Sequence, residues 1–223
     1  MKGAEPIYFD CDNEALAYLR KRDPALGVAI DRIGRIERPL NPDLFSALID
    51  SIVGQQISTK AHATIRQRMF ERFTPFTADT LTSVSAEELQ ACGITMTKAL
   101  YIKSIVSTVQ SGKLDLGTLH ELPDEEVCHQ LTQLRGVGLW TAEMLLTFSL
   151  ARPNVISFGD LAIQRGLRML YHHRHITPKL FAKYKRRYSP HATVASLYLW
   201  AIAGGSYPEY RDYAPKARAS RDR

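Results

Sequence analysis

The chain has 223 residues, 45% of them apolar, with a formal charge of +6 and three cysteines. That length supports one large core or two small ones, and no apolar run approaches membrane-spanning length, since even 139–151 is interrupted by Glu143. Positive charge favours a polyanionic partner, while the scattered Cys11, Cys92 and Cys128 exclude a disulfide framework and a cysteine-ligated metal centre.

Residues 1–12 are too polar and acidic for a secretory signal, so a cytoplasmic protein with reduced thiols is expected. Residues 12–22 and 24–34 read as two short helices, with Pro24 acceptable in a first turn and Leu16, Leu19, Leu26, Ile30 and Ile33 supplying apolar faces. Residues 35–41, followed by Pro42, form a linker, and no room remains upstream for a sizeable β-domain. Leu44, Leu48, Ile49, Ile52 and Val53 make one helical stripe that stops near Gly54. Gln55-Gln56-Ile57 is a junction, after which Ser58 or Thr59 can cap a helix to about Phe73. Residues 74–79 read as a turn, 86–91 as a short helix capped by Ser85, and 95–111 as a long helix with Ala99, Ile102, Ile105, Val106 and Val109 inward. Further helices are expected over 124–134, 139–150, 160–171, 177–188 and 190–203. No strand or internal repeat is evident, and the polar, mildly basic 207–223 reads as a loosely ordered tail.

Two motifs stand out of this helical pattern. In Leu134-Arg-Gly-Val-Gly-Leu-Trp-Thr-Ala142, one helix ends at a glycine turn and another begins at once. Gly136 and Gly138 let the backbone turn sharply and approach a ligand. The amides of the next helix lack intrahelical partners at the positive dipole end, which suits a phosphate. In Phe158-Gly-Asp-Leu-Ala-Ile-Gln-Arg-Gly166, Asp160 suits an N-cap, where amides and dipole favour a carboxylate. A carboxylate fixed beside a sugar stabilises positive charge developing at C1′ as a base departs, the logic of glycoside hydrolysis with a nitrogen leaving group.

Together these motifs resemble the helix-hairpin-helix superfamily of DNA glycosylases, and Trp140 with Asp-Leu-Ala-Ile-Gln-Arg-Gly is most similar to its 3-methyladenine DNA glycosylase branch. The resemblance runs from about residue 40 to 206. It implies an all-α fold of two helical subdomains with a DNA cleft between them. One would comprise 42–120, and the other the hairpin and C-terminal helices of 121–206, with the helices of 1–41 folded back on it.

The resemblance assigns roles residue by residue. Asp160 is the catalytic carboxylate, and Trp140 and Met144 line the base pocket. The face of Trp140 would attract a cationic alkylated base by about 2 kcal/mol when desolvated. Members that also cut the strand carry a lysine at position 140; its absence removes the Schiff-base nucleophile and implies a monofunctional enzyme. Gln56, and after it Ile57, are candidates for the wedge that fills the gap left by an extruded nucleotide. The amides of Gly136, Gly138 and Thr141 would hold a phosphate, and the main-chain carbonyls of Thr132, Arg135 and Val137 a sodium or potassium ion.

The chain departs from the family pattern at Tyr188 for Trp, His191 for Tyr and Ala192 for Arg, and Met144 replaces an aromatic found in some relatives. Tyr198 and Trp200 read as core. His172, His173 and His175 lack companions at ligand spacing, and Lys183, Lys185, Arg186 and Arg187 form either a solvated face or phosphate contacts.

The expectation is a base-excision repair glycosylase that flips 3-methyladenine- or 7-methylguanine-type purines out of duplex DNA and leaves an abasic site. No cofactor is needed for the chemistry, and no iron–sulfur cluster is expected. The competing readings are a glycosylase for oxidised or deaminated bases and a non-catalytic DNA-binding module. A monomer is the default, located with the nucleoid, or in the nucleus of a eukaryote.

Overall fold

The computed structural model describes residues 6–215, which are helical apart from loops and one isolated antiparallel bridge, Tyr8 to Pro39. They divide into two compact units, Leu40–Ala151 and the flanking segments 6–39 with 152–215.

In the flanking unit, α1 (Asn13–Arg22) and α2 (Pro24–Ile33) begin at Asp12 and Asp23, whose carboxylates accept from Ala15 N and Leu26 N. Gly34 ends α2 with φ +79°. The linker beyond it is extended, with Phe9 N donating to Arg38 O at 2.8 Å.

The central unit starts with α3 (Leu44–Gly54), whose stripe of Leu48, Ile49, Ile52 and Val53 is buried. Ser58 caps α4 (Thr59–Arg72) through Ala61 N, which decides between the two candidate caps. The segment read as a turn over 74–79 instead leads into a five-residue helix, α5 (Ala78–Thr82), capped by Thr77. It is too short to show a period, and Leu81 is its one buried residue. A capping box between Ser85 and Glu88 opens α6 (Ala86–Gln90). Both short helices lie on α7 (Met96–Gln110), which buries Ala99, Ile102, Ile105 and Val106, while Val109 is only half-buried. A 3-10 turn, Leu119–Glu121, also lacks any periodic signal and precedes α8 (Asp124–Thr132).

Next comes α9 (Leu139–Phe148), which lies against α8 and α3. The hairpin therefore falls in the central unit, where the sequence had grouped it with the C-terminal helices. A physical tie explains this: Gln55 Nε2 donates to Gly136 O at 2.8 Å.

The flanking unit resumes with α10 (Leu161–Tyr171), α11 (Pro178–Tyr188) and α12 (Ala192–Ala203). The last of these begins at Ala192 rather than Pro190, and it is apolar nearly all round because α2, α10, α11 and α1 all pack on it. The contact between α10 and α12 depends on Gly166, where a Cβ would lie 2.4 Å from Leu199 O. α1 and α2 are pinned by Asp23, 1% exposed, whose Oδ2 accepts from Tyr171 Oη and Arg187 Nη1, each at 2.7 Å. Tyr188 Oη donates to Tyr171 Oη at 2.6 Å, so this departure from the family pattern fills the core with a second phenol. Burial raises the pKa of both phenols, Tyr171 and Tyr188.

Candidate functional site

Within the central unit the hairpin turn is tight. Leu134 N donates to Leu131 O, and Val137 N to Leu134 O, each at 3.1 Å. Gly136 has φ +85°, and a Cβ there would meet Tyr101 Cδ2 at 2.5 Å. Val137 is buried and anchors the turn, whereas Gly138 faces open space and caps α9 with no side-chain hydrogen bond. The first turn of α9 thus starts without a side-chain acceptor, at the positive end of its dipole. Thr141, in that first turn, is buried at 5% exposure.

A cavity of about 570 Å³ opens between α3 and α9, within the range of small-molecule sites. Trp140 and Met144, one turn apart, line it together with Phe148 and Gln56. Trp140 is 48% exposed, well short of the burial a core tryptophan shows. The neighbouring Leu139 is also exposed. Ile57 is exposed and does not line the cavity.

The junction after α3 is held from two sides. Lys98 Nζ donates to Val53 O at 2.9 Å and to Gln55 O at 2.6 Å, satisfying carbonyls at a helix end. Partial burial lowers the Lys98 pKa. Gln56 then adopts φ +55°, unusual for a residue with a side chain and of the sort that clusters at functional sites.

Sequence reasoning missed a charged group in the cavity wall. Asp50 Oδ1 lies 2.8 Å from His62 Nε2 and 3.3 Å from Arg66 Nε. Gly54 makes room for the imidazole, since a Cβ there would approach His62 Cε1 to 3.2 Å. The signal was present, for Asp50 is the one charged residue in α3.

In the flanking unit, Asp160 is 7% exposed and caps α10. Its Oδ1 accepts from Ala162 N at 2.8 Å and Ile163 N at 2.9 Å, which fixes the carboxylate. Gln164 Nε2 donates to Phe158 O at 2.7 Å and closes the preceding loop.

Other candidates resolve into structural roles. Arg187 is committed to Asp23, leaving Lys183, Lys185 and Arg186 exposed. His173 Nε2 meets Tyr184 Oη at 2.7 Å, and His172 ends α10 in a left-handed conformation. His191 packs edge-on against Tyr18, Ala192 is fully buried, and Tyr198 is core with Trp200 half-buried. Asp212 in the tail accepts from Arg168 Nε and Nη2; the tail beyond 215 lies outside the described residues. Among the described residues no cluster of His, Cys, Asp or Glu fits a metal ion, and no helix is long and apolar enough to cross a membrane.

A hairpin with an open glycine cap, a helix-capping aspartate and an all-helical fold define a class. Residues 49–190 match the HhH-GPD superfamily of base excision DNA repair proteins. The chain is 34% identical over 165 residues to DNA-3-methyladenine glycosylase 1 of Schizosaccharomyces pombe, covering 70% of this chain and 71% of that protein. It is 24% identical over 170 residues to a putative DNA-3-methyladenine glycosylase of Bacillus subtilis, of which it spans 59%. Its structure is similar to the DNA-3-methyladenine glycosidase of Bacillus halodurans, with a TM-score of 0.82 and 36% identity over 93% of this chain and 97% of that one. It is also similar to the S. pombe 3-methyladenine DNA glycosylase solved with abasic DNA, with a TM-score of 0.74 and 28% identity over 90% and 100% of the chains. The chain belongs to the HhH-GPD superfamily of base excision repair proteins.

Proposed function

We propose that the protein is a monofunctional DNA glycosylase that extrudes alkylated purines of the 3-methyladenine and 7-methylguanine class and hydrolyses the N-glycosidic bond. The observation that carries this reading is Trp140. It stands half-exposed in a cavity wall, where its ring face offers an electron-rich platform to a cationic base. An alkylated purine carries positive charge and a weakened glycosidic bond, so binding and reactivity favour the same bases.

In this reading the amides of Gly136, Gly138 and Thr141 hold a backbone phosphate. Gln56, projected by its left-handed backbone, fills the gap in the stack; exposed Ile57 flanks it. Asp160, fixed by two amides, stabilises the oxocarbenium character at C1′ and orients the attacking water. Trp140 stands where a lyase would need an amine, so hydrolysis ends at an abasic site.

The carbonyls of Thr132, Arg135 and Val137 accept no backbone hydrogen bond among the described residues, which suits oxygen ligation of a sodium or potassium ion. Such an ion would brace the turn, and the chemistry needs no other group. The relatives named for DNA-3-methyladenine glycosylase activity support the same reading, including the one solved with abasic DNA.

A strand-cleavage assay tests it. Methylated duplex DNA treated with the protein should break only after alkali, and borohydride should trap no covalent adduct. Cleavage without alkali, with a trapped adduct, would contradict the monofunctional assignment.

A further inference from the structure

The cavity wall opposite Trp140 is not apolar. α3 carries Asp50 into the lining, and the neighbouring helix α4 brings His62 onto it and Arg66 behind it. Both partners converge on Oδ1, at 2.8 and 3.3 Å, so the carboxylate is locked through one oxygen. No hydrogen bond reaches Oδ2 among the described residues, and the side chain is 25% exposed. A half-buried acceptor held rigid with one oxygen unspent is arranged to receive a hydrogen-bond donor from whatever enters. His62, which also lines the cavity, spends Nε2 on Asp50.

We propose that Asp50, oriented by His62 and Arg66, is a specificity-determining residue that reads an N–H donor on the extruded base. The inference rests on the glycosylase reading above and deepens it. Alkylated purines bring both features the carboxylate rewards. 3-Methyladenine offers an exocyclic amine, 7-methylguanine a ring N–H and an exocyclic amine, and each carries positive charge on the nucleotide. Ethenoadenine offers neither, because its etheno bridge consumes the amine and the base is neutral. Trp140 supplies the stacking face and Asp50 the edge contact, so the pair sorts bases by charge and by donor together. Arg66 offsets part of the carboxylate charge, which leaves hydrogen bonding as the larger share of the discrimination.

The test uses the full chain with Asp50→Asn and His62→Leu. Single-turnover release of 7-methylguanine is measured beside affinity for an abasic duplex, which contains no base to read. Asp50→Asn should slow release about tenfold, the cost of losing a charge-assisted hydrogen bond, with abasic-DNA affinity within twofold of wild type. His62→Leu, which removes the donor to Oδ1 and frees the carboxylate to rotate, should slow release about threefold with the same unchanged affinity. This second variant decides the matter if Asp50→Asn fails to fold. Unchanged release in the folded variants, or release and abasic-DNA affinity falling together, would overturn the assignment and leave the cluster a purely structural one. Absence of release by the wild-type protein would instead refute the glycosylase reading beneath it.

Discussion

The side-chain amide of Gln55 donates to the carbonyl of Gly136 at 2.8 Å, joining the junction after α3 to the turn between α8 and α9. The residue that follows Gln55 is the candidate wedge, and the residues that follow Gly136 open the candidate phosphate-binding turn. One hydrogen bond thus couples the register of two candidate DNA-contacting loops across 81 positions of sequence. Gln55→Leu should lower stability by about 1 kcal/mol. It should also weaken abasic-DNA binding more than that loss implies, measurable by fluorescence anisotropy. Binding that is unchanged in a folded variant would show that the loops are positioned independently.

The two glycines of the turn should respond differently to alanine. At Gly136 the backbone has φ +85° and the new methyl would meet the Tyr101 ring at 2.5 Å, so Gly136→Ala should cost about 2 kcal/mol or more in denaturant unfolding. At Gly138 nothing lies within 4 Å, so Gly138→Ala should leave stability nearly unchanged. It should still reduce DNA affinity, because the methyl occupies space that a phosphate would use.

Trp140→Ala should reduce 7-methylguanine release about thirtyfold, the scale of a desolvated cation–π contact. Release of neutral hypoxanthine should fall less. Equal losses on the two bases, measured by chromatography, would mean that the ring contributes stacking alone.

The tail adds a pH-dependent strap. Asp212 accepts from Arg168 at 2.8 and 2.7 Å, and this pairing holds its carboxyl below the ordinary value of 3.8. The depressed pKa means that the stabilisation is present above about pH 4 and is lost as pH falls through the folded-state value. Partial exposure keeps it below about 1 kcal/mol. Asp212→Asn should therefore lower the Tm slightly at neutral pH, and the difference should vanish in acid.

Much of this was legible in the chain, and the limits have physical causes. Ser58, Ser85 and Asp160 announce helix starts because capping is local chemistry, and each caps the helix it precedes. α5 escaped notice because five residues carry no period. The hairpin's place in the central unit rests on α9 packing on α3 and on the Gln55–Gly136 bond, neither of which sequence spacing displays. Asp50 and His62 were passed over for the same reason: twelve positions apart on separate helices, they meet only when α3 and α4 fold together. Arg187, grouped with three neighbouring cations, proved to serve Asp23, a partner 164 positions away.

The most direct test is base release from methylated duplex DNA by the wild-type protein and Asp160→Asn side by side. Asparagine keeps the N-cap hydrogen bonds to the α10 amides, so the fold and DNA binding should survive while the charge is lost. Wild type should liberate 3-methyladenine and 7-methylguanine, and the variant should bind the same DNA with turnover reduced about a thousandfold. Release of methylated purines by Asp160→Asn at the wild-type rate would contradict the catalytic role of Asp160.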